Sequence, residues 1–126
     1  MFELEIKGTM YPFNFGMGFL REVNKKISIP VDGVPGVKQN VGLRHIIGRL
    51  MDGDMEAMVE VLSAANFKQE PRITGDQLDA FIDDPDTNID ELFDKVQDFL
   101  LQSNATRKTM QEMKKLYAAE MAKANQ

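Results

Sequence analysis

Cysteine is absent from the 126-residue chain. With it go disulfide staples, thiolate nucleophiles and cysteine-ligated zinc or iron–sulfur centres, and a reducing cytosol suits such a protein. Histidine occurs once, at His45, with no second histidine or cysteine to share a metal. It lies beside the apolar stripe of its helix and reads as a surface or boundary residue. No stretch reaches the run of about 18 to 20 apolar residues that spans a bilayer. The opening MFELEIKG also lacks the apolar core of a signal peptide, so the expectation is a soluble, unexported protein with no membrane partner. An excess of positive charge is missing too: 15 Lys and Arg stand against 20 Asp and Glu, a formal net charge of -5. That balance argues against a nucleic-acid partner, because phosphate binding rests on clustered cations. What is present, 43% hydrophobic and 28% charged residues, fits one globular domain over 1–126.

The charge is unevenly spread. Residues 1–51 carry a net of +3, residues 52–104 a net of -11, and residues 105–126 a net of +3. Two readings fit: basic ends that pack on the acidic centre, within one copy or head to tail between copies, or helices with solvated acidic faces.

Alternation opens the chain. Phe2, Leu4 and Ile6 alternate with Glu3, Glu5 and Lys7, and Tyr11, Phe13 and Phe15 with Pro12 and Asn14, the period of half-buried strands. Gly8-Thr9 between them suits a two-residue turn, which predicts a β-hairpin over 2–15 with Pro12 at an edge or strand start. From Gly16 the period becomes helical, with Phe19, Val23 and Ile27 on one stripe, ending before Pro30. Residues 28–40 hold two of the five prolines and two of the nine glycines and read as a long loop or a short extended excursion. Its Ile29, Val31, Val34 and Val37 argue that it touches its own core or a neighbour.

Helices follow. Asn40 is a candidate N-cap for a stripe of Leu43, Ile46, Ile47 and Leu50, closed by Gly53. Asp54 caps the next, with Met55, Met58, Val59 and Leu62 facing inward, and the two are expected to form an antiparallel hairpin. Thr74 and Gln77 have capping-box spacing before Leu78, Phe81 and Ile82, and Pro85 stops that helix. Asn88 with Glu91 repeats the cap before Ile89, Leu92, Phe93, Val96, Phe99 and Leu100. Asn104 is a candidate cap for a last helix running to about Ala124. The expected fold is mainly α (α+β): an N-terminal hairpin on a bundle of about five to six helices, a helical body over 16–104 and a C-terminal helix over 105–124.

In that last helix Met110, Met113, Tyr117, Met121 and Ala124 fall at steps of three, four, four and three, a narrow seam resembling the a and d positions of a coiled coil. About 20 residues make a rod of roughly 30 Å, against a radius of gyration of about 14 Å for a compact chain of this length. The rod therefore spans the body or projects from it. Met-rich faces accept varied partners, so Met110, Met113, Tyr117 and Met121 are the candidate partner interface. The alternative is that this seam packs on its own bundle.

Catalytic and ligand-binding chemistry finds little support. The run from Asp84 to Asp90 has acceptors at alternate positions, but a calcium loop of the EF-hand type needs Gly at its sixth position and Glu at its twelfth, where this chain has Ile89 and Lys95. Asp86, Asn88, Asp90 and Glu91 are better read as cap and helix-dipole residues. Gly16-Met17-Gly18 starts like a dinucleotide fingerprint but has Arg21 at the third glycine position and follows a hairpin. Asp83, Asp84 and Asp86 lie between helices, where no apolar pocket would shift their pKa. Nothing places Ser28, Ser63 or Ser103 near the lone histidine. The expectation is a protein that is not an enzyme, with no catalytic residue, metal or cofactor.

The opening FELEIKGTMYPFNFGMGFLREVNKK, a hairpin running into a helix through Phe15-Gly16-Met17-Gly18-Phe19-Leu20, resembles the tail assembly chaperones of long-tailed phages and prophages of Gram-positive bacteria. The stretch ITGDQLDAFIDDPDTNIDELFDKVQDFLLQSNATRKTM is similar to that family's acidic helical region, ending in a Ser-Asn-Ala/Thr step before a basic helix. The resemblance implies a protein of the host cytoplasm, absent from the mature virion, that coats the tape-measure protein and helps recruit tail-tube subunits, the major tail protein, during tail polymerisation. It also implies that this chain corresponds to the short form of a pair whose longer member arises by a ribosomal frameshift. Self-association into a homo-oligomer is compatible with it. The alternative is a structural tail component or a general helical protein-binding adaptor.

Overall fold

The computed structural model describes residues 2–25, 28–30 and 38–124, with backbone alone for 28–30 and 38–40. The alternating start forms β1 (Phe2–Ile6) and β2 (Thr9–Phe13), antiparallel, with Phe2 opposite Phe13 and Ile6 opposite Thr9. The turn is one residue earlier than the sequence suggests: Lys7 and Gly8, at φ 51° and 82°, form the two-residue loop, and Thr9 is already in the strand. Paired positive φ values match the right-handed twist of a hairpin. Gly8 fits either position of such a turn, and the choice falls to the pairing of Phe2 with Phe13.

That pairing is anchored from outside the hairpin. Phe2 meets Phe13, Phe15 and Phe99 edge-on with ring centroids 5.7, 5.9 and 4.8 Å apart, and Phe15 meets Phe19 at 5.2 Å. Edge-to-face aromatic pairs are worth about 0.5–1.5 kcal/mol beyond their area. They fix the sheet against α1 (Met17–Asn24) and α5 (Ile89–Gln102). The outer edge of β2 is closed as well: Asn14 N donates to Ala65 O, and Asn66 Nδ2 to Pro12 O.

Helix α1 buries Phe19 and Val23 and ends at Asn24; Ile27 lies outside the described residues. Of the long loop and the short extended excursion expected over 28–40, the strands fit the second: β3 (Ser28–Pro30) pairs antiparallel with β4 (Lys38–Asn40). The side chain of Ile29 and residues Val31, Val34 and Val37 fall outside the described residues. Helix α2 (Gly42–Met51) buries Leu43, Ile46, Ile47 and Leu50, as the periodicity predicts, and leaves His45 exposed. Its cap is not Asn40. Val41 occupies the cap position without a side-chain bond, and Asn24 Oδ1 accepts from Leu43 N instead, tying the end of α1 to the start of α2.

Gly53, at φ 79°, ends α2 with its N–H on Leu50 O while Asp54 N reaches Arg49 O, a pair of bonds that satisfies the last carbonyls. Asp54 then caps α3 (Met55–Ala65) by accepting from Glu56 N and Ala57 N. The hydrogen bond from Arg49, reinforced by that from Ala57 N, holds the Asp54 carboxyl below its ordinary value. Met58 and Leu62 face inward and Val59 is half-buried, but Met55 does not face inward: it is 40% exposed, and Ala57, Val61, Ala64 and Ala65 complete the buried face.

Asn66, which ends α3, is a fully buried polar residue with every bond made. Its amide donates to Pro12 O and Pro71 O, and its carbonyl accepts from Ile73 N and an Arg72 guanidinium. Helix α4 (Gly75–Asp83) has the predicted capping box at Thr74 and Gln77, and α5 has its Asn88 cap with Asp90 and Glu91 in the first turn. Leu92, Val96 and Leu100 of α5 are buried; Ile89, Phe93 and Phe99 are half-buried. The last helix, α6 (Arg107–Ala124), lies against α2 and α5. The buried residues of the hairpin and all six helices join in one cluster. Among the described residues no helix is long and apolar enough to cross a membrane.

Candidate partner surface on the last helix

The start of α6 is set by a tight turn. Ser103 Oγ donates to Phe15 O, Thr106 Oγ1 donates to Leu100 O, and the N–H groups of Thr106 and Arg107 both reach Ser103 O. Thr106 is buried in this turn. The helix therefore begins at Arg107, three residues beyond the Asn104 cap expected from the sequence. A serine–threonine pair bonded to backbone at Phe15, between β2 and α1, and at Leu100 on α5 outcompetes a local asparagine cap.

From that start the predicted seam divides. Met110 is fully buried in the core and belongs to the fold. Met113 is half-buried, its Cε lying 3.4 Å from the point a Cβ on Gly48 would occupy, so α2 offers α6 a flat landing. Beside it Arg44 pairs with Glu112. From Lys114 to Ala124 every residue is exposed. Tyr117 and Met121, on the predicted seam, are 40% and 48% exposed, and Leu116, which the periodicity does not single out, is 55% exposed.

The cause is length. Ten residues of α2 extend about 15 Å and eighteen of α6 about 27 Å, so α6 outlasts the helix it rests on. At the point of divergence Gly48, Met51, Asp52, Met113, Leu116, Tyr117 and Glu120 line a shallow cleft of about 190 Å³. It continues the apolar surface of the free half of α6 back onto the body. Lys114, Lys115 and Lys123 flank the apolar residues, with Glu120 between. The arrangement presents a projecting amphipathic helix with apolar residues at 113, 117 and 121, one per turn.

A family model described as phage tail assembly chaperone protein, TAC, matches residues 3–115. The chain belongs to that family. The match takes in the hairpin, the helical body and α6 as far as Lys115, so Leu116, Tyr117 and Met121 lie just past it. No curated protein and no solved structure matches the chain. The general role is thus assembly of phage tails. A projecting helix is a surface suited to it, since an assembly chaperone works by contact with other polypeptides.

Proposed function

We propose that this tail assembly chaperone coats the tape-measure protein through the outer half of α6 and helps bring tail-tube subunits to the growing tail. It acts without catalysis, in the cytoplasm of the bacterial host, and leaves before the virion is complete. The observation that carries the reading is the exposed stretch from Lys114 to Ala124 with Leu116, Tyr117 and Met121 on it. An isolated helix of about eleven residues is marginal in water, and apolar anchors one turn apart are the signature of helix-against-helix recognition. A long apolar helical partner needs such cover before its tube encloses it. Many weak contacts along one strand add avidity. Met110 serves by holding the root of α6 in the core, and Met113 sits at the boundary between fold and surface.

The test replaces Leu116, Tyr117 and Met121 together with glutamine, which keeps helix propensity. Tape-measure co-purification should fall at least about tenfold, the scale of losing a few interface anchors. Circular dichroism and the thermal midpoint should change little, since all three residues are exposed in the free chain. Unaltered co-purification would reject this surface.

A further inference from the structure

A second surface, independent of α6, lies at the free edge of the hairpin. In a two-residue hairpin the residues bracketing the loop exchange backbone bonds, and bonded and non-bonded pairs then alternate. The register makes Ile6–Thr9, Leu4–Tyr11 and Phe2–Phe13 the bonded pairs, so the N–H and C=O groups of Glu3 and Glu5 point away from β2. The partner strand confirms the phase. Pro12, opposite Glu3, has no N–H to lose there, and its outward carbonyl accepts from Asn66. Whereas α3 and Asn66 close the outer edge of β2, nothing among the described residues bonds the outward groups of Glu3 and Glu5.

That edge faces a cleft of about 370 Å³ between the hairpin and the α4–α5 junction. Leu4, Glu5, Ile6 and Lys7 all line it. Successive strand residues point to opposite faces, so a wall that takes in Leu4, Glu5 and Ile6 in a row, continued by Lys7 of the turn, is the edge of β1. The opposite wall offers apolar Phe81 and Leu92 beside Asp84 and Asp86. Lys95 is engaged by Glu91, and Glu5, Asp84 and Asp86, which form no ion pair among the described residues, outnumber the remaining cation of the lining, Lys7. The N-terminus of α5, which borders the cleft, is already complemented by the Asn88 cap and by Asp90 and Glu91, which disfavours an anionic ligand.

We infer that this cleft binds an extended, basic segment of another polypeptide, which adds to β1 as a third strand and pairs with the outward groups of Glu3 and Glu5. Unpaired backbone groups select an extended occupant. The acidic excess of the lining selects its charge. Antiparallel pairing of two copies of β1 would set glutamate against glutamate, and like charges directly opposite are destabilising, so the occupant is a partner and not a second copy.

The test uses the full chain and a fluorescein-labelled eight-residue peptide alternating valine and lysine. Controls are the same peptide with every backbone amide N-methylated and one alternating valine and glutamate. The valine–lysine peptide should bind by fluorescence anisotropy, and NMR should show amide exchange at Glu3 and Glu5 slowing at least about tenfold on saturation. N-methylation and Glu5→Pro, which removes an outward N–H without touching a rung of the β1–β2 ladder, should each weaken binding about tenfold or more. The glutamate peptide should not bind. No binding by the valine–lysine peptide, binding that survives N-methylation, or unchanged exchange at Glu3 and Glu5 overturns the inference. Exchange that slows with protein concentration in the absence of peptide makes the occupant a second copy and overturns the assignment to a basic partner. If Glu5→Pro does not fold, the N-methylated peptide gives the same comparison on the unaltered chain.

Discussion

Gly42→Ala is expected to destabilise the protein by about 3 kcal/mol or more, the upper range for overpacking a site that cannot relax. A Cβ on Gly42 would lie 1.9 Å from Val23 O, 2.6 Å from Val23 C and 2.8 Å from Asn24 Cα. All three are backbone atoms, so no side chain can rotate away. Relief requires the end of α1 to separate from the start of α2, which also breaks the bond from Leu43 N to Asn24 Oδ1. The opposing gain in helix propensity from Gly to Ala is about 1 kcal/mol and does not compensate. Gly75 at the start of α4 is the control: no atom lies within 4 Å of the place its Cβ would take, and Gly75→Ala should leave the urea midpoint unchanged or raise it. A Gly42→Ala protein as stable as the parent would contradict the apposition of α1 and α2.

Asn66→Ala carries the other large effect. The side chain is fully buried and joins the hairpin, the end of α3 and the segment leading to α4 through four hydrogen bonds. Alanine leaves the carbonyls of Pro12 and Pro71 and the N–H of Ile73 without their partner. A buried unsatisfied group costs about 1–3 kcal/mol; the bond to Ile73 N is buried and those to Pro12 O and Pro71 O are part-buried, so the loss should be about 2–3 kcal/mol in urea denaturation, a large share of the stability of a protein of this size. A loss below about 1 kcal/mol would mean that water reaches these groups.

Both positions show where local sequence signals stop. Asn66 after two alanines has the form of an ordinary helix end, and its role depends on Pro12, 54 residues earlier in the chain. Gly42 carries no turn signal, and the cap it accompanies comes from Asn24 across 19 residues. Elements whose burial and capping are local were legible: the stripes of α2 and α5, Gly53 and Asp54 between α2 and α3, the Thr74–Gln77 box and the Asn88 cap. The hairpin was legible too, but not its turn, because aromatic contacts with Phe15 and Phe99 fix the register. The same distinction runs through the candidate surface. Period alone sets Met110, Met113, Tyr117 and Met121 on one line, while the end of α2 decides that Met110 is interior and Tyr117 and Met121 are not. Leu116 was not legible because it lies one position off the seam, and only the cleft with Met51 brings it into the surface.

Hydrogen–deuterium exchange across α6, measured on the chain alone and on the chain co-expressed with the tape-measure protein, separates a covering helix from an idle one. In the free protein the amides from Lys114 to Ala124 should exchange far faster than those around Met110, whose side chain is locked in the core. In the complex the outer amides should become protected while those near Met110 change little. Fast exchange from Lys114 onward in a complex that nonetheless forms would contradict a chaperone that shields its client with this helix.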